Sequence, residues 1–149
     1  MNRSEAREIA VRLCFEVSSR ECDAQEVLDH FFEGDYYESL AAEDKLYESR
    51  PRENHRRYIE KLVLGVGEHS AELDGYIDKY ARGWQFGRIS RTAVAVIKTA
   101  MFEIMYMPEI PNGAAINEAV EIAKKYDEPE TVSFVNGILG SFVREELPT

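Results

Sequence analysis

Apolar residues recur at three- and four-residue intervals along almost the whole chain, and no stretch alternates convincingly enough to mark a strand. The first stripe is Ala6, Ile9, Ala10, Leu13 and Val17, with Ser4 placed to cap the helix and Glu5 in its first turn. Asp23 and Glu26 pair as the opening of a second helix through Val27, Leu28, Phe31 and Phe32, which Gly34 ends. A long helix starts near Asn54 and carries Tyr58, Leu62, Val63 and Val66 on one face. Leu73, Ile77 and Tyr80 continue into another helix before Gly83. Trp84 and Phe86 follow between Gly83 and Gly87, and Trp84 reads as a core plug.

Residues 89–107 form the most apolar segment. Ile89, Ala93, Val96, Ile97, Ala100 and Ile104 make its stripe, and Val94, Met101 and Met105 carry apolar character around much of the cylinder, the mark of a central, buried helix. Pro108 and Pro111 bracket a stiff connection, and Asn112-Gly113 supplies a turn. Ile116, Ala119, Val120 and Ala123 then define one amphipathic helix. Pro129 suits the first turn of the last helix, whose stripe is Val132, Val135, Ile138, Leu139, Phe142 and Val143. The pattern predicts an all-α fold of about seven helices in two packed bundles sharing the central helix. It reads as a single domain over residues 1–149, interrupted at about 34–52 by an acidic insertion with at most one helical turn.

Charge sharpens this picture. The net charge is −10, which argues against a general nucleic-acid binder, because attraction to phosphate needs a basic footprint. The acid is uneven: residues 21–50 hold ten acids against two bases, whereas residues 51–100 hold nine bases against six acids. Basic surface can therefore survive locally. No apolar run approaches the length of a membrane span, and the charged start of the chain does not resemble a signal peptide, so a cytoplasmic location is expected. Cys14 and Cys22 form no disulfide framework, and Cys14 reads as a reduced core thiol.

Catalytic and metal-binding chemistry finds little support. Cys22, His30, His55 and His69 lack metal-ligand spacing, no glycine-rich loop joins a strand to a helix, and no nucleophile sits in a recognisable context with a base. Neither a metal, nor a cofactor, nor an enzymatic activity is expected. Binding is the better prospect. Arg7, Val11 and Phe15 share a face turned from the core stripe of the first helix, with Arg3 on its border and Arg12 beside it. Guanidiniums that meet phosphates and a ring that stacks on bases are the ingredients of a single-stranded RNA site, but Glu5, Glu8 and Glu16 dilute this face, and the residues alone favour a solvated surface with Phe15 covered by the 34–52 insertion. On the last helix Phe134 lies about 120° from the centre of the apolar stripe, where it can pack or stack on a base. Gly137 and Gly140 imply a close approach by a backbone or ligand. Arg91, Lys98 and Phe102 mark the least apolar line of the central helix, suited either to a partner or to snorkelling.

Three segments carry a family resemblance. Ala6-Arg7-Glu8-Ile9-Ala10-Val11, then Arg88 to Ile104, and above all Ala115 to Tyr126 with Phe134-Val135-Asn136-Gly137-Ile138-Leu139 closely resemble the NusB family of transcription antitermination factors. The likeness spans most of the chain except 34–52. It implies an all-α factor that binds boxA RNA on nascent ribosomal transcripts together with NusE, a small-subunit ribosomal protein, and helps the RNA polymerase antitermination complex resist termination. Carried over by position, it implies RNA contacts at Arg3, Arg7, Phe15 and Phe134, and partner contacts at Lys98 and Phe102. The family's N-terminal basic run is thinned here to Asn2-Arg3-Ser4-Glu5-Ala6-Arg7, and a usual arginine is replaced by Lys98. The alternative expectation is a protein-binding or self-associating helical module of the same fold, possible as a homodimer, with weak or lost RNA binding.

Overall fold

The computed structural model describes residues 1–82 and 89–147, which form eight α-helices and one 3-10 turn, with no strand among them. The expected core plug, Trp84, falls outside the described residues together with Phe86. Two compact units divide the chain, residues 1–67 and 68–149.

The first unit holds α1 (Arg3–Arg20), α2 (Ala24–Phe31), α3 (Tyr36–Leu40) and α4 (Glu53–Glu68). The cap of α1 is Asn2, not Ser4: the Asn2 side chain accepts from the Glu5 amide at 2.8 Å, and the Glu5 carboxylate accepts from the Asn2 amide at 2.9 Å. The helix closes at Glu21, which takes left-handed backbone angles (φ 51°) without being glycine. Burial on α1 is broader than its stripe, because Arg7, Glu8 and Val11 are buried along with Ala6, Ile9, Ala10, Leu13 and Cys14.

The acidic stretch is more ordered than a loop. After Gly34, whose φ of +48° favours glycine, it forms α3 and a 3-10 turn over Lys45–Tyr47. Aromatic packing fixes it: Tyr37 and Tyr47 set their rings edge-on to Phe31 of α2 and to each other, with centroids 5.4 to 6.1 Å apart. The Tyr37 hydroxyl donates to the Ser49 carbonyl at 2.8 Å. The Asp44 carboxylate caps the 3-10 turn and pairs with Arg12 at 2.9 Å, so an acid of the insertion is tied to α1. The sequence reads as a long loop with about one helical turn; the interleaved Tyr37, Leu46 and Tyr47 supply what folds it.

The second unit holds α5 (Ser70–Ala81), α6 (Arg91–Tyr106), α7 (Asn112–Tyr126) and α8 (Pro129–Glu146). Within it α6 packs against α5, α7 and α8, and α8 also packs against α5 and α7. As the pattern predicts, α6 is buried around most of its girth. The Ser90 hydroxyl caps it by accepting from the Ala93 amide, and donates to the Asp127 carboxylate just past α7. At the other end of α8, Glu146 accepts from Lys79 at 2.7 Å and from the Tyr80 hydroxyl of α5. These contacts hold the Glu146 carboxyl below its ordinary pKa.

Candidate functional site

The starts of α1 and α4 lie together in the first unit, and cationic groups gather there. The Arg3 guanidinium lies 4.2 Å from the centre of the Tyr58 ring, and that of Arg7 lies 5.7 Å from the same ring. A cation over an aromatic face at such distances is held by the ring's negative face, so Tyr58 orients both arginines. The Arg52 backbone amide donates to His55 Nδ1 at 3.2 Å, which leaves Nδ1 as the acceptor nitrogen. The His55 pKa is lowered, first by desolvation, then by the positive charges of the amino terminus, Arg52 and Arg3, against an opposing pull from Glu5. His55 and Tyr58, three residues apart on α4, thus meet the Arg52 amide and the Arg3 guanidinium on one side of the helix. Farther along α4, Arg56 lies 4.5 Å from the Phe32 ring centre and pairs with Glu60 at 2.8 Å, while Arg57 pairs with Glu53 at 3.4 Å.

The predicted α1 face is not continuous. Arg3 is exposed and Phe15 is 37% exposed, but Arg7 (5%) and Val11 (2%) between them are buried. The face is open at its two ends, about 18 Å apart along the axis. Arg12 is taken up by the folded insertion, with Glu8 at 3.4 Å, Asp44 at 2.9 Å and the Tyr47 hydroxyl at 3.2 Å.

The second unit changes the remaining expectations. Phe134 is 1% exposed and among the largest fully buried side chains, so it offers no open ring for a base. The reason is the width of the apolar arc. At about 100° per residue, the buried positions of α8 span about 140°, with Phe134 at one edge and Leu139 at the other. Val132 and Val143, counted in the stripe, are only half-buried, which turns the true centre toward Phe134. Lys98 and Phe102 do not face outward as a partner surface either. The Lys98 ammonium donates to the Ser70 hydroxyl at 2.7 Å and pairs with Asp74 at 2.8 Å, both on α5. Phe102, 5% exposed, packs beside His69 and Tyr106, which stack on each other with centroids 4.3 Å apart. Packing by α5 fills the line that looked open in the sequence. Around Gly140, an added Cβ would meet only Arg144 of the same helix, at 3.3 Å, among the described residues, rather than another backbone.

Sequence reasoning missed Arg52, His55 and Tyr58 as parts of one cluster. The signal was present: Arg52, His55, Arg56 and Arg57 fall within six positions directly after Pro51, the densest basic run in the chain. Only the fold reveals that this run starts beside the N-terminus. Among the described residues no cluster of three or more His, Cys, Asp or Glu is arranged to hold a metal, and no helix is long and apolar enough to cross a membrane.

Relatives resemble this chain over nearly its whole length. The transcription antitermination protein NusB of Acetivibrio thermocellus is 36% identical over 147 residues, covering 99% of this chain and 92% of the relative. That of Clostridium acetobutylicum is 32% identical over 143 residues, covering 96% of each. Among solved structures, T. maritima NusB matches with a TM-score of 0.77 at 25% identity, over 97% of this chain and 92% of that one. A crystal structure of antitermination factors NusB and NusE in complex with dsRNA has the same fold, with a TM-score of 0.70 at 21% identity, over 95% and 96% of the two chains. The model of the NusB family matches residues 4–144, from the capped start of α1 almost to the end of α8, and the chain belongs to that family.

Proposed function

We propose that this chain is a transcription antitermination factor that binds boxA-type RNA on nascent ribosomal transcripts in complex with NusE. The observation that carries the proposal is the positively charged end formed by Arg3, Arg7 and Arg52 around Tyr58 and His55, in a chain that belongs to the NusB family. Arg3 and the exposed Phe15 are the RNA-contacting side chains of α1, one for phosphate and one for a base. Arg7, buried against Tyr58, supports that end electrostatically. The fold precedent containing NusB, NusE and dsRNA supports the choice of partner and ligand class. The net charge of −10 makes assistance from NusE important, because the basic region at the start of α1 is small on an acidic molecule. The reading carries with it a cytoplasmic location and a place in the RNA polymerase antitermination complex.

An electrophoretic shift with single-stranded boxA-like RNA, with and without NusE, tests the proposal. A shift that strengthens with NusE is expected. No shift in the presence of NusE overturns it, and a self-associated species by light scattering would then favour the protein-binding module.

A further inference from the structure

We infer that Arg52, at the entrance to α4, is a phosphate-contacting residue that works with Arg3 as a two-element cradle for the backbone of single-stranded RNA. The inference rests on the RNA-binding reading and adds a residue from outside the N-terminal arginine run. That run supplies only Arg3 and Arg7 ahead of the first core turn, and Arg7 is buried against Tyr58. Arg52 is exposed and its side chain makes no ion pair among the described residues. Its neighbours Arg56 and Arg57 engage Glu60 and Glu53, and Arg50 engages Glu38.

Position completes the argument. Arg3 of α1 lies on the Tyr58 ring and the backbone amide of Arg52, just before α4, bonds to His55; His55 and Tyr58 are three residues apart on one face of α4, so the two arginines enter the same small area from separate parts of the chain. Arg3 is steadied on Tyr58, and the start of α4 is fixed by the Arg52 amide bond to His55. Arginines contributed by separate parts of the chain suit successive phosphates of a flexible strand better than two arginines on one turn. Of the acids here, Glu5 is engaged with the Asn2 amide in the α1 cap, and Glu53, next to Arg52, pairs with Arg57. The starts of two long helices add partial positive charge from unpaired amides. Arg52 therefore restores cationic surface that the thinned N-terminal run gave up.

The test is a titration of the full chain with short single-stranded RNA across a salt series, with NusE present and absent. Arg52→Gln, Arg52→Lys and Arg3→Gln are compared with Arg20→Gln, an equal charge change at the far, exposed end of α1. For one phosphate contact, Arg52→Gln should flatten the slope of log K against log salt by about 0.7 and weaken binding about eightfold at 50 mM salt. Arg52→Lys should keep most of the slope, and Arg20→Gln should change it little. The loss should be equal on boxA-like and unrelated RNA, as for a contact to backbone rather than base. Wild-type-like behaviour of Arg52→Gln alongside a clear loss in Arg3→Gln overturns the inference and leaves the RNA-binding reading intact. A loss confined to boxA-like RNA overturns the phosphate role, and absence of wild-type binding even with NusE overturns both.

Discussion

Two rings on α4 meet the same positive charge in opposite ways. Tyr58 attracts Arg3 to its face, whereas His55 disfavours its own proton because burial, the amino terminus, Arg52 and Arg3 outweigh the pull of Glu5. The folded-state pKa of His55 is thus lower than the unfolded one. As pH falls, the unfolded chain takes up this proton first, so stability is complete above the unfolded value of about 6.5 and declines as pH drops through it. Thermal unfolding from about pH 8 to about pH 5 should show wild type losing ground to His55→Gln at the acid end. A constant gap between the two would show that the ring does not sense these charges. Phe134 yields a second outcome at this scale. Because the ring is buried, Phe134→Ala should cost about 3–5 kcal/mol in denaturant unfolding, through lost transfer energy and the cavity left behind. Near-native stability with weakened RNA binding would restore Phe134 to the interface.

Among the elements, seven of the eight helices are legible from spacing and caps alone, because α1, α2 and α4 to α8 each bury a stripe that their sequences announce. The exception, α3, is five residues long, too short for a helical period to show against its charges. What spacing cannot give is the width of the buried arc, which depends on how many neighbours a helix meets. Phe134 lies at an arc's edge, and Lys98 and Phe102 lie opposite the α6 stripe, yet packing covers all three residues that the stripe alone left outside. Phe15 departs the other way: the residues alone favour its being covered by the insertion, yet it is 37% exposed. The folded insertion makes its own prediction. Burial, then Tyr47 and Glu5, push the Tyr37 hydroxyl up to about 12, with Arg50 opposing them. Its folded pKa exceeds the unfolded value of about 10, so the contribution is intact below that pH and is lost as pH rises toward the folded value. Alkaline unfolding monitored by tyrosinate absorbance should show Tyr37 among the tyrosines that ionise late, with Tyr47, Tyr80 and Tyr106, which are also held up; Tyr37→Phe should remove one tyrosine from that late phase. Early ionisation of every tyrosine would mean that the insertion does not stay packed on Phe31.

For the whole molecule, the balance lies between a net charge of −10 and one compact cationic end. Long-range attraction of RNA is then weak, and close contacts must supply the affinity. Arg3 and Arg52 are the exposed cations of the proposed site, and the amino terminus adds to the positive charge around His55. With about 0.7 counterions released per phosphate on a single strand, two or three such contacts give a log–log salt slope of only about −1.4 to −2.1 for the chain alone. RNA affinity should therefore fall by roughly seven- to twentyfold between 50 and 200 mM salt. Fluorescence anisotropy with labelled boxA-like RNA over that range measures it directly. A slope steeper than about −4 would require more phosphate contacts than this end provides. The basic positions of α4 beyond Arg52 or of the second unit would then have to join the interface, and Arg56→Gln or Lys124→Gln would carry the missing slope. A slope within the narrow range, steepened by NusE, places the remaining phosphate contacts on the partner and makes the thinned arginine run a reason for partnership rather than a loss of function.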